Sequence, residues 1–380
     1  MKTVGIICEY NPFHLGHKKQ IDKIRREQGP DCGIVCLMSG NYVQRGDCAI
    51  FDKSLRAQAA LKCGADLVLE LPITYALSSA EGFAAGGVRI LSGFCDGLSF
   101  GTENGDAQAL RSTARALLSP EFPPALKEQL QKGLSFPAAR QAALSSIGID
   151  DSLLTSPNDI LAVEYTKAIL SQNADLELLP IRRSGSYHDT VADPENPSAT
   201  ALRSLICAAD RWQGFVPDAA AEVLKNAPIH TRSAGERAIL TRLRSMTDEE
   251  FELLPYGSEG LWRKLMYACR ECATIEQIIT QTKSKRYTRT RLERMILCAF
   301  LGISREMLEA PAPYARVLGF TGAGAAILKQ ARKTGIFPHV GDKMDSDYQL
   351  LEDRADRLYS LFSQDPTPSA ICERRVVIEK

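Results

Sequence analysis

The chain has 380 residues, 46 Lys and Arg against 46 Asp and Glu, and 44% hydrophobic residues; at roughly 150 residues per domain that length predicts two or three domains. A charged fraction of 24% and an aromatic fraction of 7% exclude a disordered, collagen-like or disulfide-stapled chain. Zero formal net charge excludes holding an acidic polymer by bulk charge, so any nucleic-acid site must be a local basic stripe.

The cysteines number eleven, and Cys8, Cys36, Cys95 and Cys298 lie within apolar runs, where a thiol behaves as a small buried hydrophobe. That usage fits a reducing compartment. The one C-x-x-C, Cys269 and Cys272, has no second pair at zinc spacing, so core packing is expected and no protein-held metal. Glu9 ends the N-terminal apolar run without a cleavage site, and no run reaches the roughly 18 apolar residues of a membrane span. A cytoplasmic protein without membrane contact or obligate protein partner is the expectation.

In chain order, Val4–Cys8, Ile34–Met38, Leu67–Leu71, Gly97–Phe100 and Leu176–Ile181 are short apolar runs bounded by Gly, Pro or Asp and predict buried parallel strands. Between them His17–Gln28, Asp52–Cys63 and Ser79–Leu91 carry apolar residues at three- and four-residue spacing. Crossover helices between parallel strands make a doubly wound α/β domain, with ligands at the strand C-termini. Residues 107–172 read as a mostly helical insertion before the last strand. Beyond about 205, Asp218–Asn226, Gly235–Ser245, Gly260–Cys269, Thr274–Thr280 and Thr290–Leu301 read as helices. We therefore expect a catalytic domain over 1–205 and a second, α-rich domain over 206–380. The stretch Gly319 to Gly324 lacks a phosphate-loop Lys-Ser/Thr and reads as a tight turn.

The strongest chemical signal follows the first strand: Cys8-Glu9-Tyr10-Asn11-Pro12-Phe13-His14-Leu15-Gly16-His17. His14 and His17, three apart where a strand turns into a helix, share one face near the helix N-terminus. Unpaired backbone N–H groups and the helix dipole attract phosphate there. Gly16 permits close approach, and an imidazole can donate to an α-phosphate as its charge grows. A metal site or two surface histidines is the plainer alternative. Further on, Ser198-Ala199-Thr200-Ala201-Leu202-Arg203 follows the last strand; Ser198 or Thr200 can cap the helix, and a hydroxyl with Arg203 can grip departing pyrophosphate.

These elements resemble the nucleotidylyltransferase superfamily. More narrowly, the run Glu9 to His17, Met38 to Asp47, Leu67 to Pro72, Phe100 to Glu103 and Pro157-Asn158-Asp159 resemble the bacterial tRNA(Met) cytidine acetate ligase family over nearly the whole chain. The resemblance implies that ATP, accompanied by Mg2+, activates acetate as acetyl-adenylate, and that the acetyl group passes to the wobble cytidine of elongator tRNA(Met). It implies an ATP site over Ile7, Cys8, Glu9, Tyr10, Asn11, Pro12, Phe13, His14, Leu15, Gly16, His17, Lys18, Lys19 and Gln20, joined by Gly101, Asn158, Arg182 and Arg183. The chain departs from the family pattern before Tyr187-His188, where the spacing is one residue short, and at Asp47-Cys48 in place of Glu-Pro.

The loop Ser39 to Asp47 could bring Gln44 and Arg45 to acetate or the incoming base; a solvated loop reads equally well. The tRNA expectation rests on Lys283, Lys285, Arg286, Tyr287, Arg289 and Arg291, whose cations could neutralise phosphates while Tyr287 stacks on a base. A solubilising helix face is the alternative. For the chain as a whole, a metabolite adenylyltransferase or a non-catalytic tRNA-binding protein remains open.

Overall fold

The computed structural model describes residues 1–182, 197–331, 337–339, 346–368 and 376–379. Its ten strands are β1 (Thr3–Cys8), β2 (Gly33–Ser39), β3 (Tyr42–Val43), β4 (Asp47–Cys48), β5 (Leu67–Leu71), β6 (Gly97–Thr102), β7 (Glu177–Arg182), β8 (Tyr314–Phe320), β9 (Phe337–His339) and β10 (Val377–Ile378). The main sheet runs β10-β8-β5-β2-β1-β6-β7, with β9 beside β8, while β3 and β4 pair as a small hairpin.

The five strands expected from the sequence form the parallel part of this sheet, β5-β2-β1-β6-β7. β1, β2, β5 and β6 are buried at nearly every residue, as strands covered by helices on two sides must be, whereas β7, at the sheet edge, is only partly buried. Alternation sorts the side chains: Ile34, Cys36 and Met38 face a core shared with the helices Leu15–Gln28 and Lys53–Lys62. Val35 and Leu37 face the opposite core, shared with the helices Ala80–Leu91 and Pro157–Ser171. Each large side chain so buried contributes about 1.5–3 kcal/mol. The chain moves from β1 outwards to β2 and β5, then returns to the other side of β1 for β6 and β7. The crevice between the C-termini of β1 and β6 is thus the topological switch point, where such sheets bind ligands.

The expected boundary at 205/206 does not separate two cores. Trp212, Val216, Ala220 and Leu224 pack into the same core as helix Lys53–Lys62. Tyr314–Phe320 then returns as β8, antiparallel to β5. Neither return is visible as a composition change, because the alternation in β8 is short and lies between helical stretches. A third, helical core does exist, built from the helices Arg232–Ser245, Leu261–Glu271, Ile275–Thr282, Arg289–Leu301 and Asp347–Tyr359. It is seated on Tyr42, Cys48, Ile73 and Leu77, which belong to segments leaving β2 and β5, so the helical body is joined to the sheet at its ligand-binding edge. The stretch Gly319 to Gly324, expected to be a tight turn, instead passes straight from strand to helix: Gly319 lies in β8, Thr321 is the N-cap, and Gly322 and Gly324 open the helix Gly322–Gln330.

Candidate active site

Helix Leu15–Gln28 starts at the C-terminal end of β1 with a capping box built from two histidines. His14 Nδ1 accepts the Gly16 N–H at 3.1 Å, and His17 Nδ1 accepts the His14 N–H at 3.2 Å. The rings stack at a centroid separation of 3.7 Å. Since both Nδ1 atoms accept, the proton of each neutral ring lies on Nε2, the nitrogen suited to donate to a phosphate oxygen. Gly16 has a local reason as well: a Cβ there would lie 3.0 Å from His14 Cε1. His14 is buried, and Tyr10 and Phe13 pack on His17 with centroids at 4.7 and 5.6 Å, so neither imidazole can swing away.

The second motif meets the first. Ser198 caps helix Ala199–Cys207 by accepting the Ala201 N–H at 3.0 Å. One turn on, Arg203 donates through Nη1 to the Asn11 carbonyl at 2.9 Å and through Nη2 to Thr200 Oγ1 at 3.1 Å. Asn11 in turn accepts the Ile50 N–H on Oδ1 at 2.8 Å. Imidazoles, guanidinium and helix N–H groups are thus gathered at one strand end, an arrangement of donors suited to an anion.

Across the crevice, Gly101 lies three residues beyond Leu98, which pairs with Gly5, as Cys8 lies three beyond Gly5. Asn158, at the start of helix Pro157–Ser171, donates to Glu103 Oε1 at 2.5 Å, and the Asp159 N–H donates to Glu103 Oε2 at 3.1 Å. Asp159 is buried and accepts from the Thr102 hydroxyl, the Glu103 N–H at 2.8 Å and the Ser156 hydroxyl at 3.0 Å. Burial alone would raise its carboxyl, but these hydrogen bonds hold it below its ordinary value.

The remaining candidates divide. Ile7, Cys8, Glu9 and Tyr10 form the end of β1 and its exit; burial pushes the Cys8 thiol well up, which makes it a packing group. Lys18 pairs with Asp22 on the exposed helix face, and Gln20 reaches Ser99 Oγ at 3.4 Å. Arg182 ends β7, exposed. Arg183 and His188 lie outside the described residues.

The loop 39–47 is a buried hairpin rather than a solvated rim, with Arg45 its exposed residue. Its Gln44 N–H donates to Glu9 Oε1 at 2.8 Å. Gly46, at φ +80°, sits where a Cβ would come within 2.4 Å of the Arg294 backbone nitrogen. Behind it, buried Lys53 joins Glu70 at 2.8 Å and Asp356 at 2.6 Å, while Arg316 faces Asp356 and Glu352 at 3.4 and 3.5 Å. Asn41 ties the hairpin to this cluster through Asp356 at 3.0 Å.

The basic stripe occupies the loop 283–288 and the first turn of helix Arg289–Leu301. Arg289 is engaged with Glu276 at 2.6 Å and Glu293 at 2.9 Å, Arg286 with Glu259 at 2.7 Å, and Arg291 with the Tyr256 carbonyl at 2.6 Å. Tyr287 also donates to Glu259 at 3.2 Å, under the Arg291 guanidinium. Lys283 and Lys285 are exposed, with no carboxylate at ion-pair distance among the described residues.

A family model described as HIGH Nucleotidyl Transferase matches residues 1–373. The chain belongs to that family. Within it, the chain is 35% identical to the tRNA(Met) cytidine acetate ligase of Thermosipho melanesiensis, covering 90% of this chain and 84% of that protein. It is 33% identical to the protein of the same name from Clostridium acetobutylicum, with both chains covered in full. Thermotoga maritima TmcAL, in an apo crystal structure, superposes with a TM-score of 0.90 at 30% identity over 100% of this chain and 99% of that one. The same protein bound with alpha-thio ATP gives 0.88 at 29% identity.

In this HIGH nucleotidyl transferase, sequence reasoning missed Arg56. It is fully buried on helix Lys53–Lys62, and it donates to the carbonyls of Phe51 at 2.9 Å, Glu9 at 2.5 Å and Ser39 at 3.2 Å, and to that of Gly40. One guanidinium therefore fixes the exits of β1 and β2 together. Nothing in helical spacing separates it from an ordinary surface arginine. Glu103 and Asp159 stand in the motifs without a role; a carboxylate directly after a strand end is the signal for Glu103, and one in the first turn of a helix is the signal for Asp159.

Proposed function

We propose that the chain is an ATP-dependent tRNA acetate ligase, which makes acetyl-adenylate and acetylates the exocyclic amine of the wobble cytidine of elongator tRNA(Met). The observation that carries this reading is the meeting of the histidine pair with Arg203 at Asn11, the donor set required by attack at an α-phosphate. The names of the acetate ligase relatives and the ATP analogue bound by the Thermotoga protein support it.

In the first step an acetate oxygen attacks the α-phosphorus, and the bond to the bridging oxygen breaks to release pyrophosphate. His14 and His17 donate from Nε2 to the α-phosphate oxygens as charge accumulates, and the N-terminal N–H groups of helix Leu15–Gln28 add to that field. Arg203 stabilises the departing pyrophosphate. In the second step the cytidine N4 attacks the acetyl carbonyl carbon, AMP leaves with the anhydride oxygen, and the amine releases a proton. Among the described residues no cluster of three or more His, Cys, Asp or Glu is placed to hold a metal; Mg2+ takes oxygen ligands and enters with the ATP phosphates as part of the substrate.

The RNA is received by the helical core and its basic loop, as the counterpart of the α-rich domain expected beyond residue 205. No helix among the described residues is long and apolar enough to cross a membrane. The test is pyrophosphate release from ATP with and without acetate, followed by mass analysis of nucleosides from added tRNA. Acetate-dependent release with an acetylated cytidine is expected; release that depends on another acceptor rejects the reading.

A further inference from the structure

The basic loop continues onto a neighbouring helix. Leu261–Glu271 turns Leu261, Leu265, Met266, Ala268 and Cys269 into the helical core, which leaves Arg263, Lys264 and Tyr267 outward. Residues three and four apart are neighbours on a helix surface, so Tyr267 is flanked by both cations. Lys264 Nζ reaches the Lys283 carbonyl at 3.5 Å, which makes this face continuous with the loop 283–288. The Arg263 guanidinium lies over the Trp262 ring at 4.8 Å, held by the ring's negative face.

A single exposed tyrosine needs no explanation. This one is 58% exposed and stands among cations whose charge is uncompensated: among the described residues neither Arg263 nor Lys264 has a carboxylate at ion-pair distance. Arg286 and Arg289 of the adjoining stripe, by contrast, are answered by Glu259 and Glu276. An accessible ring face bordered by unanswered positive charge is complementary to a nucleotide, with base on ring and phosphate on cation.

We infer that Tyr267, Arg263 and Lys264 form a platform for an unpaired nucleotide of the RNA substrate, the tyrosine stacking on the base and the cations holding the flanking phosphates. The inference rests on the tRNA reading proposed above. A base inside a duplex offers no face to stack on, so the contact falls in a loop or at an end of the RNA. Through Lys264 and the Lys283 carbonyl the platform adjoins the loop 283–288, which leads into helix Arg289–Leu301; Glu293 and Arg294 of that helix touch the hairpin at Gly46, and the hairpin touches Glu9 at the exit of β1. A continuous chain of contacts therefore runs from the platform to the exit of β1.

The experiment is equilibrium binding of elongator tRNA(Met) transcript across a salt series, for the wild-type chain, Tyr267→Ala, Tyr267→Trp and the double variant Arg263→Ala/Lys264→Ala. Acetate-dependent pyrophosphate release from ATP is measured beside it and is expected to stay within about twofold of wild type throughout. Tyr267→Ala should bind roughly tenfold or more weakly with an unchanged salt slope, the loss of one base–aromatic stack. Tyr267→Trp should bind as wild type. The double variant should lower the salt slope by about one to two, the loss of two phosphate contacts. Tyr267→Ala binding as tightly as wild type overturns the platform and leaves the tRNA reading standing; a wild-type chain that binds no tRNA overturns that reading instead.

Discussion

The Arg203 guanidinium donates to the Asn11 carbonyl at 2.9 Å across 192 residues of sequence, so the loop that carries the histidines and the helix that carries the arginine cannot be displaced independently. Arg203→Lys keeps the charge but loses the fork that holds Asn11 and Thr200 together. Its acetate-dependent pyrophosphate release should fall roughly 100-fold, the size of one preorganised donor. A variant within fivefold of wild type would remove Arg203 from the machinery.

Each histidine should register in both a stability and an activity measurement. His17→Ala should reduce adenylate formation by about 100-fold or more. His14→Ala should do the same, and each variant should cost up to about 1 kcal/mol in urea unfolding, because the two rings together form the capping box of helix Leu15–Gln28. A wild-type rate of adenylate formation in His17→Ala refutes the phosphate-donor assignment.

Arg56 has four carbonyls depending on it. Arg56→Met leaves them without that donor in a buried place but also relieves a buried charge, a net destabilisation on the order of 3 kcal/mol. Urea titration checks the figure, and Arg56→Lys should fall between. An Arg56→Met chain as stable as wild type would show that the strand exits hold their shape without it.

Glu352 supplies a pH dependence of stability. Burial, and then the charge of Glu70, push its carboxyl up to about 7, against the pull of Arg316, Lys53 and the Tyr314 hydroxyl. A carboxyl with a raised native pKa favours the folded state fully below its unfolded value near 4.5, and that contribution is lost as pH rises through about 7. Glu352→Gln removes this one loss while keeping an acceptor for Tyr314. The difference in unfolding free energy between Glu352→Gln and wild type should therefore grow between pH 5 and pH 8; a constant difference rejects the raised pKa.

Neutralising Lys285, Arg286 and Arg289 together should weaken tRNA binding and flatten its salt dependence, but the single changes should not be equivalent. Lys285→Ala should lower the salt slope by about one. Arg289→Ala should instead shift the melting temperature, since that side chain joins Glu276 to Glu293. Equal effects of the two on the slope would mean that Arg289 leaves its carboxylates to meet RNA.

The parallel strands were legible because each is a short, mostly apolar run between turn residues, and His14, His17 and Arg203 were legible because their spacing carries its own chemistry. Helix Asp347–Tyr359 was not, since its buried face mixes Leu351 and Ala355 with Gln349, Glu352 and Asp356, residues that sequence reading assigns to water. The burial of Glu352 and Asp356 follows from Lys53 and Arg316, which arrive from distant segments. The same non-locality hid Arg56, whose partners are backbone carbonyls. In the stripe, charge could be counted from the sequence, but the carboxylates that answer Arg286 and Arg289 come from other helices.

β8 gives the sheet a history as well as a shape. Strand β5 ends at Leu71 and its antiparallel neighbour begins at Tyr314, about 240 residues later, which at ribosomal speeds is on the order of tens of seconds. Through that interval β5 presents a row of unanswered backbone groups beside an apolar face, the template on which nascent chains mispair. A chain stalled before residue 314 would already carry its histidines and its arginine, yet would expose that edge to every neighbouring polysome.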